Sequence, residues 1–212
     1  MAITIDVIKN GYSLMDNKSN VMKANCTCTL IKENDIIIIV DTLTAWDRLF
    51  LEKELENRNI NTTDVTHVVG THGHSDHIGN LNLFTNAQHI IGQSISHKDE
   101  YLMHSFEEGP FKISKNIEII STPGHTLSDV SVIVRNTSFG TVAVVGDLFE
   151  REEDIINPEL WTTAGSENPA LQLKNRNEIL LLADYIIPGH GPMFKVAKEL
   201  LEIHAKQSEK IF

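Results

Sequence analysis

Short apolar runs separated by polar turns dominate this chain and predict many strands. The run at residues 36–40 is apolar throughout, which is typical of a strand that is covered on both faces. The runs at 130–134 and 141–145 flank a short polar stretch and together predict a hairpin. The predicted strands are residues 3–8, 26–31, 36–40, 65–69, 89–92, 117–121, 130–134, 141–145 and 185–187.

Segments with apolar residues at helical spacing lie between these strands and predict helices. The clearest begins near Trp46, where apolar residues recur every three or four positions among Glu and Lys. Asn168 followed by Pro169 predicts the start of another, because Asn caps helices and Pro suits the first helical position. Residues 150–166 are acidic or irregular and predict a surface excursion. The predicted helices are residues 45–58, 78–84, 96–103, 169–183 and 196–206.

Length and composition predict one soluble domain over residues 1–212. No apolar run approaches the roughly 20 residues that span a bilayer. The N-terminus lacks a basic region followed by an apolar core, so we expect no secretory signal and a cytosolic location. The 18 basic and 29 acidic residues give a net charge of −11, which disfavours non-specific affinity for nucleic acids.

Two cysteines, Cys26 and Cys28, are separated by one residue on a predicted strand, so their side chains point to the same face. This spacing disfavours a disulfide between them. We therefore expect both to be buried, reduced thiols.

The candidate chemistry is concentrated in residues 71–80, directly after an apolar, β-branched run. This stretch has the spacing HxHxDH, which places three imidazoles and a carboxylate within six positions. Alternate side chains of an extended loop point the same way. We therefore predict that His72 and His74 bind one metal ion, while Asp76 and His77 bind a second ion.

Later strand ends supply the missing ligands for a site with two metal ions. His125 and His190 each follow a Pro-Gly pair at the end of a predicted strand, where α/β folds place functional loops. His125 completes a set with His72 and His74, and His190 joins Asp76 and His77. Asp147, also at a strand end, is the carboxylate that bridges two ions.

The ordered blocks Val40-Asp41-Thr42, Thr71 to Gly79, Pro123-Gly124-His125, Gly146-Asp147 and Pro188-Gly189-His190-Gly191 together resemble the metallo-β-lactamase superfamily. That resemblance implies an α/β fold, a four-layer αββα metallo-β-lactamase sandwich with the metals at one edge. It also implies that Asp41 lies behind the ligands and orients one of the histidines.

Three longer runs, VVGTHGHSDHIGNLNLF, DVSVIVRNTSFGTVAVVGDLFERE and IIPGHGPMFKV, resemble a single branch of that superfamily more closely. The proteins of that branch are described as zinc-dependent, dimeric endoribonucleases of the cytosol and nucleus that act on histone pre-mRNA 3′ ends. The resemblance implies an RNA substrate, a homodimer and two Zn²⁺ ions per chain. A hydroxide formed between the ions would attack the scissile bond, and Asp76 would orient it or transfer a proton.

Two positions narrow the chemistry. Asp147 stands where common β-lactamases have Cys, which is typical of glyoxalase-II-like and nuclease-like members. His74 stands where di-iron flavoproteins of the superfamily usually have an acid, which favours zinc over the alternatives iron and manganese.

Two other functions also suit this sequence. The minimal domain and acidic charge also suit a glyoxalase-II-like thioesterase, and a non-catalytic metal- or ligand-binding protein is a third hypothesis. The chain lacks the basic character of larger nucleases in the superfamily, and an open, locally basic groove would favour RNA. His104 and Arg151 are either residues of flanking loops that approach substrate or, as we expect, surface residues. The remaining histidines are expected to be structural or solvated: His67, His89, His97 and His204.

Overall fold

Two β-sheets pack face to face in the computed structural model, which describes residues 3–211. One sheet has seven strands in the order β1-β4-β5-β6-β7-β8-β9, and the other has six in the order β10-β11-β12-β13-β14-β15. The first sheet consists of β1 (Thr4–Lys9), β4 (Cys28–Glu33), β5 (Ile36–Val40), β6 (His67–Gly70), β7 (Gln88–Ile91), β8 (Ser94–His97) and β9 (Glu100–Leu102). The second consists of β10 (Phe111–Lys112), β11 (Ile117–Ser121), β12 (Val130–Thr137), β13 (Gly140–Gly146), β14 (Tyr185–Pro188) and β15 (Phe194–Lys195). Strands β2 (Tyr12–Asp16) and β3 (Val21–Asn25) form a separate hairpin.

The period-two alternation of the strands builds the layers. In β5, Ile38 and Val40 belong to the core between the two sheets, whereas Ile39 belongs to the core on the outer face. In β13, Val144 faces the inter-sheet core and Val145 faces the opposite way. Both faces of these strands are therefore buried, which the apolar run at 36–40 predicts for β5.

Helices cover the outer face of each sheet. The outer core of the seven-stranded sheet includes residues of α1 (Arg48–Asn57), and that of the six-stranded sheet includes residues of α4 (Pro169–Leu182) and α5 (Lys198–Ile211). The four-layer αββα prediction is confirmed. Within the described part of the chain, no helix has the length and apolar character needed to cross a membrane.

Other local predictions are also confirmed. The Asn168 side chain accepts a hydrogen bond from the Leu171 backbone amide and caps α4. Cys26 and Cys28 are free and fully buried, and burial raises the pKa of both thiols.

Three local predictions are wrong. The helix predicted at 96–103 is the antiparallel pair β8 and β9, connected through Lys98 at a φ of 58°. The helix predicted at 78–84 contains only a 3₁₀ turn at Leu81–Leu83, because Gly79 and Asn80 hydrogen-bond back to the chain after β5. The excursion at 150–166 contains two short helices, α2 (Glu153–Ile156) and α3 (Glu159–Thr162).

The ends of several strands meet at one edge of the sandwich. Strands β5 and β6 are parallel, as are β13 and β14, so each pair directs its carboxyl ends the same way. The loops that follow β6, β11, β13 and β14 contain the predicted metal ligands. The fold therefore positions these loops next to one another.

Candidate metal centre

The seven predicted ligands lie together, in two groups that share Asp147. Their ligand atoms are within 4.8 Å of one another in each three- or four-residue set. All but His74 and Asp76 are buried. The predicted ligands are His72, His74, His125, Asp147, Asp76, His77 and His190.

The first group combines three imidazoles with one carboxylate oxygen. The Nδ1 atom of His74 lies 2.8 Å from His72 Nε2 and 3.1 Å from His125 Nε2. The Oδ2 atom of Asp147 lies 3.6 Å from His72 Nε2 and 3.4 Å from His125 Nε2. Four ligand atoms therefore face a common centre.

The second group lies on the other side of Asp147. His77 Nε2 is 3.2 Å from Asp147 Oδ1, and His190 Nε2 is 3.2 Å from Asp147 Oδ2. The Oδ2 atom of Asp76 is 3.9 Å from His77 Nε2 and 3.8 Å from His190 Nε2. The structure therefore brings together the same two groups of side chains that the motif predicts, with Asp147 between them.

This donor set fits two divalent cations. Ligands at about 2.0–2.1 Å in a tetrahedral zinc site are about 3.3 Å apart, close to most of the separations here. His77 Nε2 and Asp147 Oδ1 are buried and have no hydrogen-bond partner. Buried polar atoms are rarely left unpaired, so a cation between these atoms explains their arrangement.

The backbone at Gly189 leaves space for the shared carboxylate. A Cβ added at this position would overlap Asp147 Oδ1. Only glycine therefore allows the loop of His190 to approach the loop of Asp147 this closely.

Asp41 holds the second group from behind, as the family pattern implies. Its Oδ2 accepts a hydrogen bond from His77 Nδ1 at 2.8 Å, and its Oδ1 accepts one from the Thr71 amide at 2.8 Å. Similarly, His190 Nδ1 donates to the Asn25 carbonyl at 3.0 Å. These bonds turn both Nε2 atoms towards the centre.

Asp41→Asn is expected to weaken metal binding about 10- to 100-fold, the usual cost of losing such a supporting partner. The amide would no longer hold His77 as a carboxylate does. Chelator competition measures the affinity, and Asp99→Asn, at an exposed turn, is the control. Equal affinity in the two variants would contradict this role of Asp41.

Comparison with known proteins identifies the family. The chain is 43% identical over 198 residues to metallo-beta-lactamase domain-containing protein 1 of Xenopus laevis, covering 92% of this chain and 82% of that protein. The chain belongs to the metallo-β-lactamase superfamily. The family profile, "Metallo-beta-lactamase superfamily", matches residues 22–118.

Two further similarities agree with this assignment. Identity to the human protein of the same name is 45% over 165 residues, covering 76% of this chain but only 60% of the human protein. The crystal structure of a candidate metallo-β-lactamase from Thermotoga maritima has a TM-score of 0.69 at 20% identity, with coverage of 92% and 100%. The chain is thus a metal-dependent hydrolase of the metallo-β-lactamase fold with a His/Asp metal-binding cluster.

Electrostatics in this metallo-β-lactamase centre favour cation binding. Burial lowers the pKa of His190, but the Asp147 and Glu150 side chains together outweigh burial and raise it to about 9. Burial likewise opposes charge on His77, yet Asp147 and Asp41 raise its pKa well above the usual value. Burial alone would raise the pKa of Asp147, but His77 and His190 have the larger opposite effect and hold this pKa well below its usual range. A metal cation would displace protons from these two imidazoles.

A cleft of about 680 Å³ opens over the cluster and includes residues that sequence reasoning missed. Glu150 is buried beside His190, and burial together with the Asp147 carboxylate raises the pKa of Glu150 to about 8. In the sequence, the one indication that Glu150 belongs to the site is its position three residues after Asp147. Ser13, on β2, also lines the cleft, although nothing in its local sequence indicates this.

Two residues with a predicted surface location differ in outcome. Arg151 is half-buried and lines the cleft, which agrees with an approach to substrate from a flanking loop and not with the expected surface location. His104 lies between Phe106 and Phe111, and its Nε2 donates to the Gly109 carbonyl, outside the residues that line this cleft.

Proposed function

We propose that the cluster binds two zinc ions and that the chain cleaves a phosphodiester bond of RNA, as an endoribonuclease acting on histone pre-mRNA 3′ ends. One observation supports this most directly: Asp147 presents Oδ1 to one ligand group and Oδ2 to both. Two ions held by a shared carboxylate are the arrangement with which phosphatases, polymerases and nucleases displace at phosphorus. Three sequence runs of this chain resemble the endoribonuclease branch of the superfamily, and this resemblance makes RNA the first substrate to test.

The residue roles follow from the two groups. His72, His74 and His125 would hold one ion, Asp76, His77 and His190 would hold the other, and Asp147 would contribute to both. When bound, such ions supply a deprotonated water at neutral pH and stabilise negative charge on the phosphate oxygens. Asp76, with 19% of its side chain exposed, lines the cleft and is placed to orient the nucleophile or transfer a proton.

The charge of the cleft restricts how RNA is bound. Arg151 is the one Lys or Arg side chain among the lining residues, alongside the acidic side chains Asp76, Asp147 and Glu150. Affinity that comes from many phosphate contacts depends steeply on salt. We therefore expect a short, single-stranded segment to bind with a shallow salt dependence, through the metal ions and apolar contacts.

A thioesterase of the glyoxalase II type is the second candidate, and the lining of the cleft favours it. Leu14, Met15, Met22 and Leu160 provide apolar surface beside the metal cluster. Apolar lining suits an acyl group better than a polyanion.

A direct comparison of substrates tests both proposals. The zinc-loaded protein is incubated with a histone stem-loop transcript and, separately, with S-lactoylglutathione. We expect cleavage of the transcript, and at least about a 100-fold loss in His74→Ala, because a metal ligand matters more than a residue that only supports one. His97→Ala, on β8 and outside the cluster, is the matched control.

Each alternative has a distinct outcome. An intact transcript together with thiol release would replace the RNA proposal by the thioesterase. Full metal sites without turnover of either substrate would favour the non-catalytic hypothesis.

A further inference from the structure

The β2–β3 hairpin is a separate structural element beside the metal centre. Its strands pair with each other and with neither of the two large sheets. An isolated two-stranded hairpin is at best marginally stable in water, so contacts with the body must hold it in place. Its apolar side chains are exposed or line the cleft: Tyr12, Leu14, Met15, Val21 and Met22.

The base of the hairpin is fixed to the loop of His190. The Thr27 amide donates to the Gly189 carbonyl at 2.6 Å, and Thr27 Oγ1 donates to the Gly191 carbonyl at 2.9 Å. The Gly11 amide donates to the same hydroxyl at 2.9 Å. Asn25, the last residue of β3, adds its carbonyl as the acceptor for His190 Nδ1 and its Nδ2 as a donor to Asp47 Oδ2 at 2.7 Å. All of these bonds lie at the two chain ends from which the hairpin projects.

Arg151 contacts the hairpin further out. Its Nη2 donates to the Ser13 carbonyl at 2.9 Å and to Ser13 Oγ, and Ser13 Oγ donates to Glu150 Oε2 at 3.4 Å. Among the described residues, Ser13 is the hairpin residue furthest along β2 that hydrogen-bonds to the body of the protein. We call this the Ser13–Arg151 contact.

The segment that contains Arg151 is itself held to the metal loops. The His190 amide donates to the Glu150 carbonyl at 2.8 Å, and the Gly189 amide donates to the Phe149 carbonyl at 3.0 Å. The Glu150 amide donates to Asp154 Oδ2 at 2.7 Å. A continuous set of hydrogen bonds therefore joins Ser13 to the loop of His190.

We propose that Arg151 is a positioning residue that fixes the β2–β3 hairpin relative to the metal centre, and thereby sets which apolar or aromatic group the cleft accepts beside the scissile bond. A single nitrogen, Nη2, donates to both Ser13 acceptors. The rigid guanidinium plane fixes the direction of these two N–H bonds, whereas the ammonium of lysine rotates on a flexible stem. The inference goes beyond the proposed function, since the hairpin lines the cleft whichever bond is cleaved. It differs from direct binding of a substrate anion by the same guanidinium.

Hydrogen exchange of the zinc-loaded protein tests the proposal without a substrate. In Arg151→Gln, we expect the hairpin amides at 12–25 to exchange about tenfold faster, because a charge-assisted bond to an otherwise marginal element is lost. Arg151→Lys is expected to give an intermediate increase. Arg135→Gln is the control. It breaks a partly exposed ion pair between Arg135 on β12 and Glu118 on β11, in the six-stranded sheet.

Kinetics provide the second measurement, with whichever of the transcript and bis(4-nitrophenyl) phosphate the wild type cleaves. We expect Arg151→Gln to raise KM several-fold and to change kcat less than twofold. A raised KM with unchanged hairpin exchange would mean that Arg151 binds substrate directly, and would overturn the proposal. Unchanged exchange and kinetics, or faster exchange throughout the chain, would also overturn it. The exchange result remains decisive even if the protein cleaves no RNA.

Discussion

Asp147→Asn is expected to lower the hydrolytic rate by more than about 100-fold, because losing even a residue that supports a metal ligand costs 10- to 100-fold. Both oxygens of Asp147 are used, since Oδ1 faces His77 and Oδ2 faces His125 and His190. An amide removes the negative charge between the two groups and replaces one acceptor with a donor. Metal content falls below two ions per chain in the same variant.

Metal analysis and initial rates measure this prediction, with Asp35→Asn in an exposed turn as the matched control. Circular dichroism establishes that the variant is folded. A variant that retains two ions and a rate within threefold of wild type would contradict the bridging role. Retention of one ion with complete loss of activity would instead support it.

Arg176→Met is expected to reduce the free energy of unfolding by about 3–5 kcal/mol, the cost of leaving a buried charge without its partner. Arg176 and Asp154 are fully buried, and Arg176 Nη2 lies 2.6 Å from Asp154 Oδ1. Arg176 Nη1 also donates to the Leu148 carbonyl at 2.8 Å. The guanidinium lies over the rings of Phe149 and Trp161, at 3.9 and 4.9 Å from their centroids.

Denaturant unfolding at saturating metal measures this loss. Lys174→Met, exposed on the same helix, should stay within about 0.5 kcal/mol of wild type. The double variant Arg176→Met with Asp154→Leu should recover part of the stability, because no buried charge remains. Recovery stays incomplete, since the Glu150 amide loses its acceptor on Asp154. A single variant as stable as the control would contradict the prediction.

The bonds from Arg176 to Asp154 and to the Leu148 carbonyl, which we call the Arg176 network, also hold a segment that lines the cleft. The network fixes the chain between Leu148 and Asp154, which contains Glu150 and Arg151. A weakened network is therefore expected to loosen the Ser13–Arg151 contact as well as the fold.

The sequence by itself determined the central strands of both sheets and the candidate metal ligands, but not the β2–β3 hairpin or the edge strands β8, β9, β10 and β15. A short apolar run specifies a buried strand locally, and both faces of β5 are buried as its uninterrupted apolar sequence predicts. The ligand types and their spacing within 71–80 are equally local. His125, Asp147 and His190 were found because each stands at the end of a strand, where this class of fold assembles its sites.

Tertiary structure decided features that depend on distant partners. Residues 96–103 contain no β-branched residue that would favour a strand, but the edge of β7 is available to pair with β8, and sheet pairing overrides the local preference. Residues 78–84 give up a helix because Gly79 and Asn80 bond to the chain after β5. Arg151 reads locally as a surface charge, yet it meets Ser13 across 138 positions of sequence. Such contacts exist only once the sheets have packed, so no local pattern encodes them.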